Sequence, residues 1–338
     1  MSAVASGIEH EAMRRALTLA AEPQVRFGPN PRVGCVLLNA AGRTVGEGAH
    51  RGAGTPHAEA AALAAAGQQA QGGTAVVTLE PCDHTGRTGP CTRALLDAGV
   101  RRVVFAQSDP NPVAAGGSRT LRAAGLQVEG GLLAEEAEAL NAEWNAAVRT
   151  GRPHVTWKYA ATLDGRVAAV DGTSRWITGQ AARREVHALR ASVDAVVVGT
   201  GTALTDDPHL AARDPDGTPL PRSQQPLRVV VGTRDLPVAS RVLDDAAHTV
   251  HVRSREPEQV LATLWEHDVR RVLLEGGPQL AGAFLTAGLI DRVVGYVAPA
   301  LLGDGPSALT GTGVQTIGAA MRLTVTDVSV VGGDVRIT

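Results

Sequence analysis

The chain has 338 residues, 44% hydrophobic, 20% charged and 3% aromatic, a length that suits two domains and a composition that excludes a disordered chain. Its 39 glycines follow no G-X-Y period, which excludes a collagen-like fibre. Residues 1–150 carry 13 Lys/Arg against 14 Asp/Glu and residues 151–338 carry 19 against 20, so neither half has the basic excess that a nucleic-acid backbone selects.

The N-terminal residues carry charges where a signal peptide has its apolar core. Ser6 and Glu9 predict a capping box that opens a helix with Ile8, Ala12, Ala16 and Leu17 on one face. No apolar run reaches the roughly 18 residues of a membrane span, so a cytoplasmic protein with no membrane partner is expected. Three cysteines in this length cannot form a disulfide framework. Strands are predicted at Val33–Leu38 and Arg43–Glu47, the two forming a hairpin, and at Thr74–Leu79, Arg102–Ala106 and Gln127–Glu129. Helices are predicted at His57–Ala66, Thr92–Ala98, Arg119–Ala124 and, as one long element, Glu135–Val148. Thr150-Gly151-Arg152-Pro153 ends that helix and marks the domain boundary, giving domains 1–149 and 150–338.

The second half restarts with a strand at His154–Ala160, followed by a helix at Gln180–Ala191. Strands at Ala195–Val198, Leu227–Val231 and Val272–Glu275 follow, with a helix at Glu256–Glu266 before the last of them. Gly276-Gly277-Pro278 then leads into a helix at Gln279–Ala287, and strands at Arg292–Val297 and Leu323–Val331 close the chain. The alternation predicts α/β layers in both domains, without a fixed-period repeat.

His57-Ala58-Glu59, then Pro81-Cys82, then Cys91 form the strongest chemical signal. One imidazole and two thiolates supply three zinc ligands and leave a fourth position open, as catalytic zinc sites do. Bound Zn²⁺ lowers the pKa of a water toward about 7, and Glu59 is then the proton carrier rather than a ligand. On an ideal helix His57 and Glu59 point about 200° apart, so they can share a site only at a helix start. Cys91 also precedes a helical run, where the dipole favours a thiolate. A lone His or Cys is usually ordinary packing, but H-x-E with P-C matches the zinc nucleobase-deaminase signature except for the longer spacing between the cysteines. Cys35, inside Val33-Gly34-Cys35-Val36-Leu37-Leu38, reads as core packing.

The stretches Asn30-Pro31-Arg32-Val33-Gly34, His57-Ala58-Glu59, Leu79-Glu80-Pro81-Cys82-Asp83-His84-Thr85-Gly86-Arg87-Thr88-Gly89-Pro90-Cys91 and Asp109-Pro110-Asn111-Pro112 resemble the bifunctional riboflavin biosynthesis deaminase/reductases. So do Thr162-Leu163-Asp164-Gly165-Arg166, Ser174-Arg175-Trp176-Ile177-Thr178, Asp206-Asp207-Pro208, Leu274-Glu275-Gly276-Gly277-Pro278 and Leu301-Leu302-Gly303-Asp304-Gly305. The resemblance implies a cytidine-deaminase-like α/β/α domain followed by a dihydrofolate-reductase-like α/β domain, and Zn²⁺ and NADPH as cofactors. It implies a small pyrimidine ribosyl phosphate as substrate and a homo-oligomer. The implied reactions are deamination of 2,5-diamino-6-ribosylamino-4(3H)-pyrimidinone 5′-phosphate and reduction of its ribosyl chain to ribityl. Gly89, Ala114, Ser118 and Ala300 depart from the family's usual residues, and none is expected to touch a zinc ligand.

The second domain carries no complete G-x-G-x-x-G; Gly199-Thr200-Gly201-Thr202-Ala203-Leu204 fails it at the last position. Read from residues alone, Gly276-Gly277-Pro278 is open between a phosphate-facing turn and an ordinary strand-to-helix turn. The resemblance implies NADPH contacts at Ala161, Trp176, Thr202, Asp206 and the run Gly277, Pro278, Gln279, Leu280, Ala281, Gly282, Ala283. It implies substrate contacts at Ser174, Arg190, Leu210, Arg213 and Glu275. Lys158 is the sole lysine beside 31 arginines. An ammonium kept where every other cation is a guanidinium predicts a substrate contact near hydride transfer, against chance survival on a strand. His84 is open between orienting substrate and fixing its loop. Two rivals stand beside this reading. One is a zinc nucleic-acid base deaminase with an unassigned second domain, opposed by the near-neutral halves. The other is a zinc-stabilised binding protein, opposed by the absence of an evident fourth ligand.

Overall fold

The computed structural model describes residues 5–22, 28–85 and 89–338. The chain divides into two compact units, Met1–Gly151 and Arg152–Thr338. Both are α/β.

The first unit contains α1 (Gly7–Ala21), β1 (Gly34–Leu38), β2 (Thr44–Ala49), α2 (Ala58–Ala66), β3 (Thr74–Leu79), α3 (Cys91–Asp97), β4 (Arg102–Gln107), α4 (Gly117–Ala123), β5 (Gln127–Gly130), α5 (Ala134–Leu140) and α6 (Ala142–Thr150). The sheet order is β2-β1-β3-β4-β5, antiparallel on either side of β1 and parallel from β3 to β5. One face packs Ala58, Ala62, Ala66, Leu95 and Leu121 against Cys35, Leu37, Val77 and Val103. The other packs Ala12, Met13, Ala16 and Ala137 against Val36, Val76 and Val104, which makes three layers. Cys35 is fully buried in that core, as expected of a small apolar residue.

The α1 capping box forms, with Ser6 Oγ accepting from the Glu9 N–H and Glu9 Oε2 accepting from the Ser6 N–H. The helix is rotated from the expected face. Ala12, Met13, Ala16, Leu19 and Ala20 are buried, while Ile8 is 51% exposed. Arg102, donating to Glu9 over 2.6 Å, holds the helix in that rotation. The predicted helix Glu135–Val148 is two helices broken at Asn141. Its amide accepts from the Arg32 N–H (2.8 Å) and donates to the Arg32 carbonyl (2.9 Å), which ties the break to the segment entering β1. Pro56 lies one residue before the N-cap of α2.

The second unit contains β6 (His154–Thr162), α7 (Gln180–Ser192), β7 (Ala195–Gly199), α8 (Thr200–Asp206), β8 (Leu227–Val231), β9 (Thr249–Val252), α9 (Pro257–Glu266), β10 (Arg271–Leu274), α10 (Pro278–Thr286), β11 (Arg292–Ala298), β12 (Val328–Val331) and β13 (Asp334–Ile337). Its sheet runs β12-β13-β11-β6-β10-β7-β8-β9 and is parallel from β11 to β9. Val260, Leu264, Ala281 and Phe284 of α9 and α10 cover one face. Ala182 and Val186 of α7 and Ala203 of α8 cover the other. The predicted strand Leu323–Val331 is ordered as strand only from Val328. Its partner β13 is four residues long and offers no further ladder. Helix α8 and strands β9 and β13 were not predicted.

Candidate active sites

Helix α2 lies directly on β2. A Cβ at Gly48 would stand 2.2 Å from the Ala58 carbonyl oxygen, so only glycine admits the helix start at this height. His57 is the N-cap of α2, with extended backbone (φ −66°, ψ 159°), and Glu59 is in its first turn. The break from helical geometry turns both toward one place, as the spacing required. Cys82 follows β3, and Cys91 is the first residue of α3.

The three ligand atoms lie within 4.8 Å of one another. His57 Nδ1 is 3.2 Å from Cys91 Sγ and 3.5 Å from Cys82 Sγ. A tetrahedral zinc separates N and S ligands by about 3.6 Å, so the donor set fits this metal in size and in chemistry. A hydrogen bond with Cys91 is the largest influence pulling the Cys82 thiol down, to about 4, with His57 adding to it. The same hydrogen bond pushes Cys91 up. Glu59 is buried beside them, and that burial raises its carboxyl to about 7.

The loop between the cysteines is fastened at Asp83, whose carboxylate accepts from Thr92 Oγ1 (2.8 Å) and Thr120 Oγ1 (2.6 Å). Glu80 accepts from the N–H groups of Ser118 (2.9 Å) and Asp109 (3.3 Å). Gly86, Arg87 and Thr88 of the inter-cysteine motif lie outside the described residues. Part-buried His84 has an Nδ1 without a hydrogen-bond partner among the described residues. His50 carried no sequence signal, being a lone histidine. It is buried, its Nε2 is 2.9 Å from Asn30 Nδ2, and its Nδ1 is 3.1 Å from the Pro56 carbonyl. Its ring meets His57 edge-on at 5.5 Å.

In the second unit, Lys158 of β6, Arg190 of α7 and Glu275 at the end of β10 converge. Arg190 Nε donates to Glu275 Oε1 (2.6 Å) and Nη2 to Oε2 (2.9 Å), a bidentate pair. Burial alone would raise Glu275, but the Arg190 guanidinium and the Lys158 ammonium reverse this and hold it below its usual value. Burial pushes the Lys158 ammonium down; Glu275 opposes that shift and Arg190 reinforces it. Arg190 also donates to the Ala211 carbonyl (3.3 Å), and His187 Nδ1 is 3.1 Å from the same oxygen. These contacts clamp Leu210, a buried leucine in the left-handed region (φ 53°) that costs roughly 1–2 kcal/mol. Arg213 bonds the Gly217 carbonyl (2.7 Å) instead of joining the pair.

The loops after β10 and β7 meet. Gly277 is the N-cap of α10, Pro278 is its first residue, and a Cβ on Gly277 would lie 3.3 Å from Thr202 Oγ1. These adjacent parallel strands send α10 and α8 to opposite faces of the sheet, the arrangement that opens a crevice at the carboxyl ends of an α/β sheet. Arg175 donates to the Asp206 carbonyl and so brings the Ser174–Trp176 segment to α8; Trp176 is exposed under the Arg183 guanidinium at 4.6 Å. Ala161 is buried on β6. Within the run after Gly277, Ala281 is fully buried in the core and Gly282 packs on the Thr310 carbonyl. The crevice is therefore bounded by the start of α10.

Residues 7–107 match the cytidine and deoxycytidylate deaminase zinc-binding region, and residues 153–337 match the RibD C-terminal domain. The riboflavin biosynthesis protein RibD of Mycobacterium tuberculosis is 52% identical over 311 residues, covering 92% of this chain and 91% of that one. The chain belongs to the RibD family. The Escherichia coli RibD is 40% identical, with 96% of each chain covered. The solved Acinetobacter baumannii RibD superposes with a TM-score of 0.89 at 38% identity, covering 98% of both chains. A deaminase/reductase structure from Thermotoga maritima gives 0.86 at 33%, covering 98% of this chain and 97% of that one. Like its RibD relatives, this chain is a bifunctional deaminase/reductase of riboflavin biosynthesis, with a zinc-binding deaminase domain and a reductase domain; the nucleic-acid deaminase reading is not favoured. One of its departures from the RibD pattern bears on the metal site after all. Ala114 packs against Cys82 and Cys91, and its carbonyl accepts from the Asp83 N–H (3.2 Å).

Proposed function

We propose that residues 1–149 deaminate 2,5-diamino-6-ribosylamino-4(3H)-pyrimidinone 5′-phosphate and that residues 150–338 reduce the ribosyl chain of the product to ribityl with NADPH. The observation that carries this reading is the His57–Cys82–Cys91 triangle with Glu59 buried beside it. His57, Cys82 and Cys91 would hold Zn²⁺. When bound, the metal supplies Lewis acidity that makes a water a nucleophile at neutral pH. Glu59 takes a proton from the attacking water and returns protons to the ring and to the departing ammonia. Burial around Glu59 keeps bulk water out of that transfer.

In the second unit Gly277, Pro278, Gln279 and Leu280 would face the cofactor phosphates from the start of α10, with Thr202 opposite them. The close approach at Gly277 supports this cradle, since a larger residue would fill it. Ala161, Trp176, Asp206 and Ala283 complete the cofactor side, with Ala281 and Gly282 backing it. NADPH supplies the hydride. Lys158 and Glu275 lie toward the ribosyl group, where the ammonium donates a hydrogen bond to a sugar oxygen. Arg190 positions Glu275, and Ser174, Leu210 and Arg213 bound the substrate, with Arg213 suited to its phosphate.

The three cysteines are free, and a reduced thiol pair suits a cytoplasmic protein. No helix among the described residues is long and apolar enough to cross a membrane. Exposed Ile317, Leu323, Val325, Val328 and Val330 near the C-terminus support a homo-oligomer. The test is NADPH oxidation by zinc-loaded protein given the diaminopyrimidinone, with Glu59→Ala alongside. Substrate-dependent oxidation that disappears in Glu59→Ala is expected, because reduction then needs the deaminated product. Ammonia release without oxidation would overturn the reductase assignment, and oxidation that survives in Glu59→Ala would overturn the order.

A further inference from the structure

The carboxyl ends of the central parallel strands carry different chemistry in order across the sheet. Lys158 lies on β6, Glu275 and the Gly277 turn follow β10, Thr202 follows β7, and Arg234 follows β8. The loops after β7 and β8 are pressed together. A Cβ at Gly232 would lie 2.6 Å from Thr200 Oγ1, and one at Gly201 would lie 3.3 Å from an Arg234 Nη2. The exposed Arg234 guanidinium therefore comes close to the Gly201 backbone, one residue before Thr202.

Arg234 is exposed and has no hydrogen bond or ion pair among the described residues. The adjacent carboxylate does not quench it. Asp235 is paired with Arg253, which also donates to the Thr233 carbonyl (3.2 Å). The loop thus neutralises its own acid elsewhere and leaves the Arg234 guanidinium unpaired beside the Gly201 backbone. From the Gly277 turn to the end of β8 is two strand spacings, about 10 Å. Arg234, lying back over Gly201, shortens that span toward the separation between a dinucleotide's pyrophosphate and the 2′ position of its far ribose when the nicotinamide end lies toward Lys158.

We propose that Arg234 binds the 2′-phosphate on the adenosine ribose of the cofactor and so sets the preference for NADPH over NADH. The inference rests on the reductase reading above. A guanidinium matches a phosphate monoester through two parallel hydrogen bonds, and a ribose carrying only hydroxyl groups leaves that fork unused.

The test measures dissociation constants of NADPH, NADH, 2′,5′-ADP and 5′-ADP for the zinc-loaded full chain by calorimetry, with Arg234→Ala and Arg234→Lys. Wild type should bind 2′,5′-ADP at least about tenfold more tightly than 5′-ADP, with a ratio that falls as salt rises. Arg234→Ala should abolish that ratio and weaken NADPH about 10- to 100-fold while NADH changes less than about twofold. Arg234→Lys should restore part of it, since a point charge keeps attraction and loses the bidentate fit. Equal weakening of NADPH and NADH by Arg234→Ala would overturn the assignment as a general loss of structure. Unchanged NADPH binding would overturn it too, while leaving the reductase reading intact. A wild type that binds neither nucleotide would remove the reductase reading and this inference with it.

Discussion

The proposed deaminase site draws its four groups from positions 57–91, at a helix start, a strand end and a second helix start. The proposed reductase site draws on 158–161, 174–176, 190, 202–213 and 275–283, which only the order of a parallel sheet brings together. The first is held by short local devices: an N-cap, a glycine under a helix and an acid stapling a loop. The second is held by charge, with a part-buried Arg–Glu pair beside a part-buried ammonium. A site built on local geometry loses chemistry when one residue changes. A site built on a buried ion pair loses structure as well.

The sharpest test of that contrast is Glu59→Gln. Ammonia release should fall about 10²- to 10⁴-fold, while zinc content and reduction of the deaminated substrate stay unchanged. Loss of zinc would show that Glu59 serves the ligands rather than the proton. Next is Glu275→Ala, which leaves the part-buried Arg190 without its partner and should destabilise the second unit by up to about 3 kcal/mol. Thermal unfolding should show that unit melting earlier and the zinc-bound unit unmoved. A variant that loses reduction with an unchanged melt would make the pair catalytic and structurally dispensable.

Lys158→Arg keeps the charge but adds volume at a half-buried position. Reduction should slow roughly 10- to 100-fold with ammonia release unaffected. Full reductase activity in this variant would remove any special role for the ammonium. The smallest effect concerns Asp164, whose carboxyl is held down at about 2 by the Thr162 hydroxyl and by the Gly303 and Leu302 N–H groups. The folded value lies below the unfolded one of about 3.9. Its stabilisation is therefore full above that value and is lost as pH falls toward 2. Asp164→Asn should lower the melting temperature at pH 6 and narrow its gap from wild type at pH 2. A gap that stays constant with pH would disprove the linkage.

The candidate zinc ligands are legible in the chain because a helix start fixes where His57 and Glu59 can point. The capping box at Ser6 is legible for the same reason: it is local. The rotation of α1 is not, since an alanine-rich helix offers several faces and the ion pair with Arg102, ninety-three residues on, selects one. The break at Asn141 is equally distant in origin, because its partner is Arg32. His50 escaped notice because its role depends on Asn30, Pro56 and His57 meeting around it. Ala114 packs on Cys82 and Cys91 from a separate loop, a contact that no local pattern records.

By itself, then, the sequence determined most of the alternating elements, the turn at Gly151 and the candidate metal triangle. All of these depend on contacts along a few turns of chain. The tertiary structure alone decided that β10 inserts between β6 and β7, and with it that Lys158 meets Glu275 and Gly277 meets Thr202. Strand β10 pairs with β6 across 117 positions and with β7 across 77, and no local preference records which strand will become the neighbour.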